Sequence, residues 1–246
     1  MKKIIVILLF MFSFTLAAQR VLTINSGFNF PETNLVESII NEGFTRAQIP
    51  LRYQTLPNQR SLLNANNGTD DGEAARILEL NSIYPNLIRV NVPIHTIELV
   101  VLSMRKLYIK EPADLKHYNV GVIRGMKIAE RISEDAKPLS LTKATSHLTL
   151  IKMLSSHRLD AIVTSKIILL SSLSETKDKV FYITSKPILS RPLYFHLHKK
   201  HKDLIPKFEE AFKSMIDDGT IEKLYSTFLI DLEAKQDKAL KVIKDD

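Results

Sequence analysis

The chain has 246 residues, a formal net charge of +7 and no cysteine. The lack of cysteine excludes disulfides, thiolate metal sites, a cysteine nucleophile and the lipidated cysteine of a lipoprotein, so stability must come from a packed core. Basic residues such as Arg46, Arg60, Arg89 and Arg105 are scattered rather than gathered with aromatics into one block, which argues against nucleic acid as a partner.

Lys2 and Lys3 precede an apolar run from Ile4 to Leu16, and Ala17-Ala18-Gln19 supplies small residues for cleavage. Charge, short apolar run and small residues in that order describe a secretory signal peptide over residues 1–18. The run of 13 residues is shorter than the roughly 20 that span a bilayer as a helix. Cleavage would leave 228 residues carrying +5, a periplasmic chain without a lipid anchor.

Residues 20–25 read as a buried strand ending at Ser26-Gly27. Leu35, Ile39, Ile40 and Phe44 recur at helical spacing, with Pro31 near the helix start and Pro50 beyond its end. Residues 51–56 alternate as a second strand. Asn58 is placed to cap a helix that stops at Asn66-Asn67-Gly68. This β-α-β-α opening predicts an α/β lobe with a largely parallel sheet.

The middle repeats the pattern. Strands are expected at 118–123, 139–141, 160–163 and 180–183. Between them come a helix opened by Gly125, one capped by Ser146 and one capped by Ser165. Extended stretches at 97–103 and 190–196 frame this block. Leu204, Phe208, Phe212 and Met215 mark a late helix, Ile221 to Phe228 another, and the charged stretch 233–246 reads as a frayed helical tail.

Six segments in this order resemble the type II periplasmic solute-binding proteins, in the branch of polar amino-acid binders of ABC importers. They are V-L-T-I-N-S-G-F at the start of the mature chain, N-N-G-T-D-D-G-E-A-A-R at 66–76, and P-N-L with V-N-V-P-I-H-T-I-E-L to residue 99. V-G-V-I-R-G-M-K at 120–127, H-R-L-D-A-I-V at 157–163 and F-x-x-A-F-x-x-M-x-x-D-G-T at 208–220 complete the set. The resemblance implies two Rossmann-like α/β lobes joined by two hinge strands. Residues 19–97 plus 190–246 would form lobe one and 98–189 lobe two, with the ligand in the cleft. It further implies a monomer that captures a small molecule by hinge closure and docks on a membrane permease or a sensor receptor, with no cofactor.

Two positions depart from the amino-acid-binding pattern. The Thr-x-x-Arg arginine that would hold an α-carboxylate is missing from Asn81-Ser82-Ile83-Tyr84. The lobe-two aspartate that would hold an α-ammonium is replaced by Thr164 or Ser165. An ordinary α-amino acid is therefore disfavoured as ligand.

Candidate ligand contacts follow from residue chemistry and family position. Arg76 can grip a carboxylate through two parallel hydrogen bonds, with Glu73 beside it. Phe28 and Phe30 can wall the ligand with a ring. Thr96 offers a hydroxyl in the first crossing, and Ser165 stands at the start of a helix. Arg124, Gly125, Met126 and Lys127 lie where a strand gives way to a helix whose free N–H groups favour an anion. The expected ligand is small, polar and anionic, clamped between Arg76 and the Gly125 turn.

Catalytic signatures are missing: there is no G-x-S-x-G elbow, no H-E-x-x-H and no phosphate loop. His196, His198 and His201 lack a carboxylate at ligand spacing and stand beside Lys199-Lys200, so zinc is not expected. The chain reads as a binding protein and not an enzyme. The alternative is an enzyme on the same scaffold, similar to the periplasmic cyclohexadienyl dehydratases, with Glu73 as acid–base group placed by Arg76.

Overall fold

A computed structural model describes residues 21–28, 31–77, 80, 82–173, 180–234 and 240–243. The proposed signal segment and Phe30 lie outside these described residues. Among the described residues, no helix is long and apolar enough to cross a membrane.

The chain opens with β1 (Leu22–Ser26), α1 (Glu32–Arg46), β2 (Leu51–Thr55), α2 (Asn58–Asn67) and β3 (Gly72–Arg76). β1 lies between β2 and β3 and is parallel to both. The apolar face of α1, with Leu35, Val36, Ile39, Ile40 and Phe44, is buried against this sheet. β3 was not expected from the sequence. Gly, Glu, two Ala and Arg are poor strand formers, and it is burial beside β1 that makes them one.

β4 (Leu87–Ser103) is a 17-residue strand that passes through both halves of the molecule. From Leu87 to Leu99 it runs antiparallel to β9 (Leu189–His198); from Leu99 to Leu102 it runs antiparallel to β7 (Ala161–Ser165). At Leu99 the strand exchanges β9 for β7 as its partner. Pro93, which has no N–H to give a ladder, sits at register shifts in the β4–β9 pairing.

The second half contains β5 (Asn119–Ile123), α3 (Lys127–Asp135), β6 (Ser140–Ala144), α4 (His147–Ser155), β7, α5 (Lys166–Leu173) and β8 (Phe181–Thr184). β5 pairs in parallel with β6 and β7. Two expected caps form as read: the Ser146 hydroxyl accepts from the Thr149 N–H at 3.2 Å, and the Ser165 hydroxyl accepts from the Ile168 N–H at 3.2 Å. The main path of the sheet is β2-β1-β3-β9-β4-β7-β5-β6, a two-lobed α/β architecture in which parallel β-α-β units flank two long antiparallel strands.

After β9 the chain returns to the first lobe as α6 (Ile205–Asp217) and α7 (Thr220–Ala234). Phe208 and Phe212 of α6 pack with Phe44 of α1 and Phe195 of β9; the Phe44–Phe195 and Phe195–Phe208 pairs meet edge to face at 5.7 and 5.1 Å. Such pairs contribute about 0.5–1.5 kcal/mol each beyond their burial.

One expectation is overturned. The charged tail is not a helix to its end: Leu240–Ile243 forms a strand, β10, parallel to β8, with Leu240 opposite Phe181 and Ile243 opposite Thr184. Leu-Lys-Val-Ile suits an edge strand, and β8 had a free edge to receive it.

Candidate functional site

The ends of β1 and β3 and the start of α2 meet at one edge of the first lobe. Glu73 is completely buried there. Its Oε2 accepts from the Ser61 hydroxyl of α2, and the nearby Gly27 N–H favours the charged form of the same carboxylate. Arg76 Nη2 lies 2.7 Å from Glu73 Oε1, close enough for an ion pair but not aligned as a hydrogen bond. Burial pushes the Glu73 carboxyl above the ordinary range, against the opposing pull of Arg76 and Ser61.

The Arg76 guanidinium stands 5.8 Å from the centroid of the Phe28 ring. Its Nε and Nη2 atoms are buried and have no hydrogen-bond partner among the described residues. A buried guanidinium with open donors is costly unless an acceptor arrives. Gly27 makes room for it, since a Cβ at position 27 would lie 2.2 Å from Arg76 Nη2 and 2.9 Å from the Asn58 Cα.

β9 forms the floor beside this cluster. Glu73 lies opposite His196 and Arg76 opposite Tyr194. The Nδ1 of buried His196 is 2.9 Å from the Tyr194 carbonyl, and burial lowers its pKa to about 4, which leaves it neutral near pH 7. The Arg89 guanidinium covers the Tyr194 ring from 4.8 Å.

The opposing turn of the second lobe differs from the expected anion seat. Gly125 has φ +93°, a conformation that favours glycine, and a Cβ there would meet nothing within 4 Å. Its N–H, however, donates to Glu130 Oε1 at 2.7 Å, and Lys127 Nζ donates to Glu130 Oε2 at 3.0 Å. The carboxylate of α3 itself thus occupies the Gly125 N–H and pairs with the ammonium of Lys127, whose side chain stays exposed. Arg124 is exposed and donates to the Lys143 carbonyl at 3.3 Å; Met126 packs into the core at the start of α3.

Asn58 joins the two turns. Expected as a helix cap, it makes no capping bond, and Pro57 holds the N-cap position of α2. The Asn58 amide instead donates to the Gly125 carbonyl at 3.1 Å, across the boundary between the lobes. Because Asn58 also flanks Gly27, it brings Phe28, Glu73, Arg76 and Gly125 into one neighbourhood.

A second cross-lobe contact involves a residue that sequence reasoning missed. Glu32, in the first turn of α1, is buried; its Oε2 accepts from the Ser165 hydroxyl at 3.2 Å and its Oε1 lies 3.4 Å from His95 Nε2. The chain therefore brings a lobe-one carboxylate to Ser165, the place where the resemblance led one to look for an aspartate. Behind it, the His147 ring makes a 3.0 Å hydrogen bond with the Thr164 hydroxyl, and burial lowers the His147 pKa to about 4. A glutamate after a proline at a helix start has the sequence signature of an ordinary N-terminal charge, so nothing in the pattern singled it out.

Among the expected contacts, then, Phe28, Glu73, Arg76 and Gly125 are gathered together, and Ser165 lies at the Glu32 contact. Thr96 is exposed on β4 opposite Pro192, on the other strand face from His95. Among the described residues, no three histidine or acidic side chains converge as a metal site. His201 Nε2 lies 2.7 Å from Asp71 Oδ1, and His198 Nδ1 accepts from the Lys200 N–H.

No family model matches the chain. An uncharacterized protein of Shewanella oneidensis is 26% identical over 180 residues, 70% of this chain and 67% of that protein. Solved structures share the fold at low identity. The "probable amino-acid ABC transporter extracellular-binding protein" of Bacillus subtilis has a TM-score of 0.71 at 16% identity, covering 85% of this chain and 98% of its own. A histidine kinase sensor domain with similarity to periplasmic binding proteins has 0.69 at 11%, covering 86% and 96%. An ancestral amino-acid-binding protein, a precursor of cyclohexadienyl dehydratase, has 0.66 at 16%, covering 85% and 94%. These likenesses show a type II periplasmic binding protein fold.

Proposed function

We propose that this chain, with its type II periplasmic binding protein fold, is a periplasmic solute-binding protein that captures a small polar anion by hinge closure and delivers it to an ABC importer. The observation that carries this reading is Arg76 beside Phe28: its buried Nε has no hydrogen-bond partner among the described residues, and its buried Nη2 is held by the ion pair with Glu73 without an aligned hydrogen bond. A carboxylate accepts from two such donors at once, and charge-assisted bonds of this kind contribute about 1.5–3 kcal/mol each. Lobe one would comprise residues 19–97 and 190–246 and lobe two 98–189, with the Asn58–Gly125 bond drawing them together over the ligand. A ligand that needs both lobes favours the closed population. With the start of α3 filled by Glu130, the anion belongs chiefly to lobe one.

Export rests on the N-terminal signal, and delivery to an importer on the resemblance; a sensor receptor is the other partner such a fold serves. A thermal-shift panel of amino acids, organic acids, oligopeptides and sugars tests capture itself. A ligand at 100 times its dissociation constant adds about 2.7 kcal/mol of stability. Organic acids or acidic amino acids should raise the melting temperature. A panel without effect, or stabilisation by neutral sugars alone, would remove the reading.

One observation favours a second reading. Glu73 is buried beside Arg76 with its carboxyl pushed up, the environment of a general acid. Incubation with prephenate or arogenate would then yield an aromatic product, lost in Glu73→Gln; no product leaves the binding reading alone.

A further inference from the structure

Resting on the capture of an anion at Arg76, we propose that the incoming anion takes the guanidinium from Glu73 and that Glu73 takes up one proton as it does so, so that capture is coupled to proton uptake.

The geometry makes the two carboxylates competitors. Arg76 Nη2 is both the atom that pairs with Glu73 Oε1 and one of the two open donors, so a ligand gripping Nε and Nη2 together arrives on an atom already claimed. Two carboxylates crowded onto one buried nitrogen cannot both stay ionised cheaply, and one of them takes a proton. Glu73 is the one equipped to do so. It is fully buried, its Oε1 makes no aligned hydrogen bond among the described residues, and Oε2 contacts a hydroxyl. The Ser61 hydroxyl serves either state, donating to a carboxylate or accepting from a carboxylic acid. The exchange is balanced: the ligand's negative charge replaces that of Glu73 beside Arg76, and the proton comes from solvent.

Among the described residues, His196, Tyr53, Arg76 and Arg89 do not compete for that proton near neutrality. From β9, His196 is held at about 4, mainly by burial. From β2, the Tyr53 hydroxyl is pushed up to about 12, again mainly by burial. Arg76 on the same strand and Arg89 on β4 are guanidinium groups with no acceptor for a proton, and the β1 turn and α2 bring the Gly27 N–H and the Ser61 hydroxyl to the carboxylate.

The test is calorimetric titration of the mature chain with acetate, succinate and L-glutamate, in bis-Tris and imidazole buffers whose protonation heats differ. Wild type should take up about one proton per anion, and its affinity should fall with rising pH once Glu73 is ionised in the free protein, by about tenfold per pH unit where a whole proton is taken up. Glu73→Gln should bind the same probe with no proton uptake, no pH slope and higher affinity at the alkaline end. Should that variant not fold, Ser61→Ala serves instead: it loosens the hold on the carboxylate and should carry the pH slope to higher pH. Binding without proton uptake in wild type, or uptake that persists in Glu73→Gln, would overturn the coupling and leave anion capture standing. No binding of any probe to wild type or Glu73→Gln across the range would overturn both.

Discussion

The side-chain amide of Asn58, at the start of α2, donates across the lobe boundary to the carbonyl of Gly125 at 3.1 Å. Loss of one such hydrogen bond costs about 0.5–1.5 kcal/mol, which is enough to shift an open–closed balance several-fold. Asn58→Ala should therefore leave the melting temperature nearly unchanged and enlarge the radius of gyration measured by small-angle scattering. An unchanged scattering profile would mean that this bond does not hold the lobes together.

Gly27→Ala probes the packing of the site without touching a charge. The new methyl would fall 2.2 Å from Arg76 Nη2 and 2.9 Å from the Asn58 backbone. The arginine can swing away, but the backbone contact is not relieved by a rotamer change. Overpacking of this kind costs about 1–3 kcal/mol. The variant should fold with normal circular dichroism, melt earlier and lose at least about tenfold in anion affinity, the equivalent of about 1.4 kcal/mol. Wild-type affinity in this variant would place the anion elsewhere.

Glu32→Ala leaves the Ser165 hydroxyl and His95 Nε2 without their carboxylate. Stranded buried polar groups cost about 1–3 kcal/mol each, so urea unfolding should show a drop of that order. Glu32→Gln keeps an acceptor for Ser165 and should recover part of it. Equal loss in both variants would indicate that the charge, rather than the hydrogen bond, is what matters here.

His147 and His196 set the acid side of the stability profile. Both have pKa values lowered to about 4 by burial, against 6.5 for an ordinary histidine. Each is neutral in the folded chain where the unfolded chain has begun to bind a proton. Their effect vanishes above pH 6.5, and stability falls as pH drops from there towards about 4, by up to about 1.4 kcal/mol per pH unit for each ring. Denaturant midpoints measured across that interval should slope downward, and His147→Gln should flatten part of the slope. A flat wild-type profile would contradict the burial of both rings.

Much of the architecture could be read in the sequence because it is carried by periodicity and caps. The Leu35–Ile39–Ile40–Phe44 face, the Ser146 and Ser165 caps and the alternation of apolar strands with amphipathic helices are local signals. β3 escaped because its composition opposes a strand and only its neighbours impose one. β10 escaped because four residues in a charged tail acquire meaning only beside β8. The site divides in the same way. Phe28 follows the end of β1, where a cleft is expected, whereas Glu73 and Arg76 lie within β3 and were singled out by residue chemistry and family position. Glu32 and Asn58 act through contacts with residues more than 60 positions away, and no local pattern announces those.

Arg76 is the residue on which the account stands. The most direct test is the dissociation constant of whichever anion first stabilises the protein, measured for wild type, Arg76→Ala and Arg131→Ala at low and high salt. Arg131 is an exposed arginine of α3, paired only loosely with Asp135 at 3.9 Å, and serves as the control for net charge. Two charge-assisted hydrogen bonds at about 1.5–3 kcal/mol each predict a loss of at least about a hundredfold for Arg76→Ala. Arg131→Ala should stay within about threefold of wild type, and added salt should weaken wild-type binding by screening. Equal small losses in the two variants, or binding indifferent to salt, would contradict the claim that Arg76 receives the ligand.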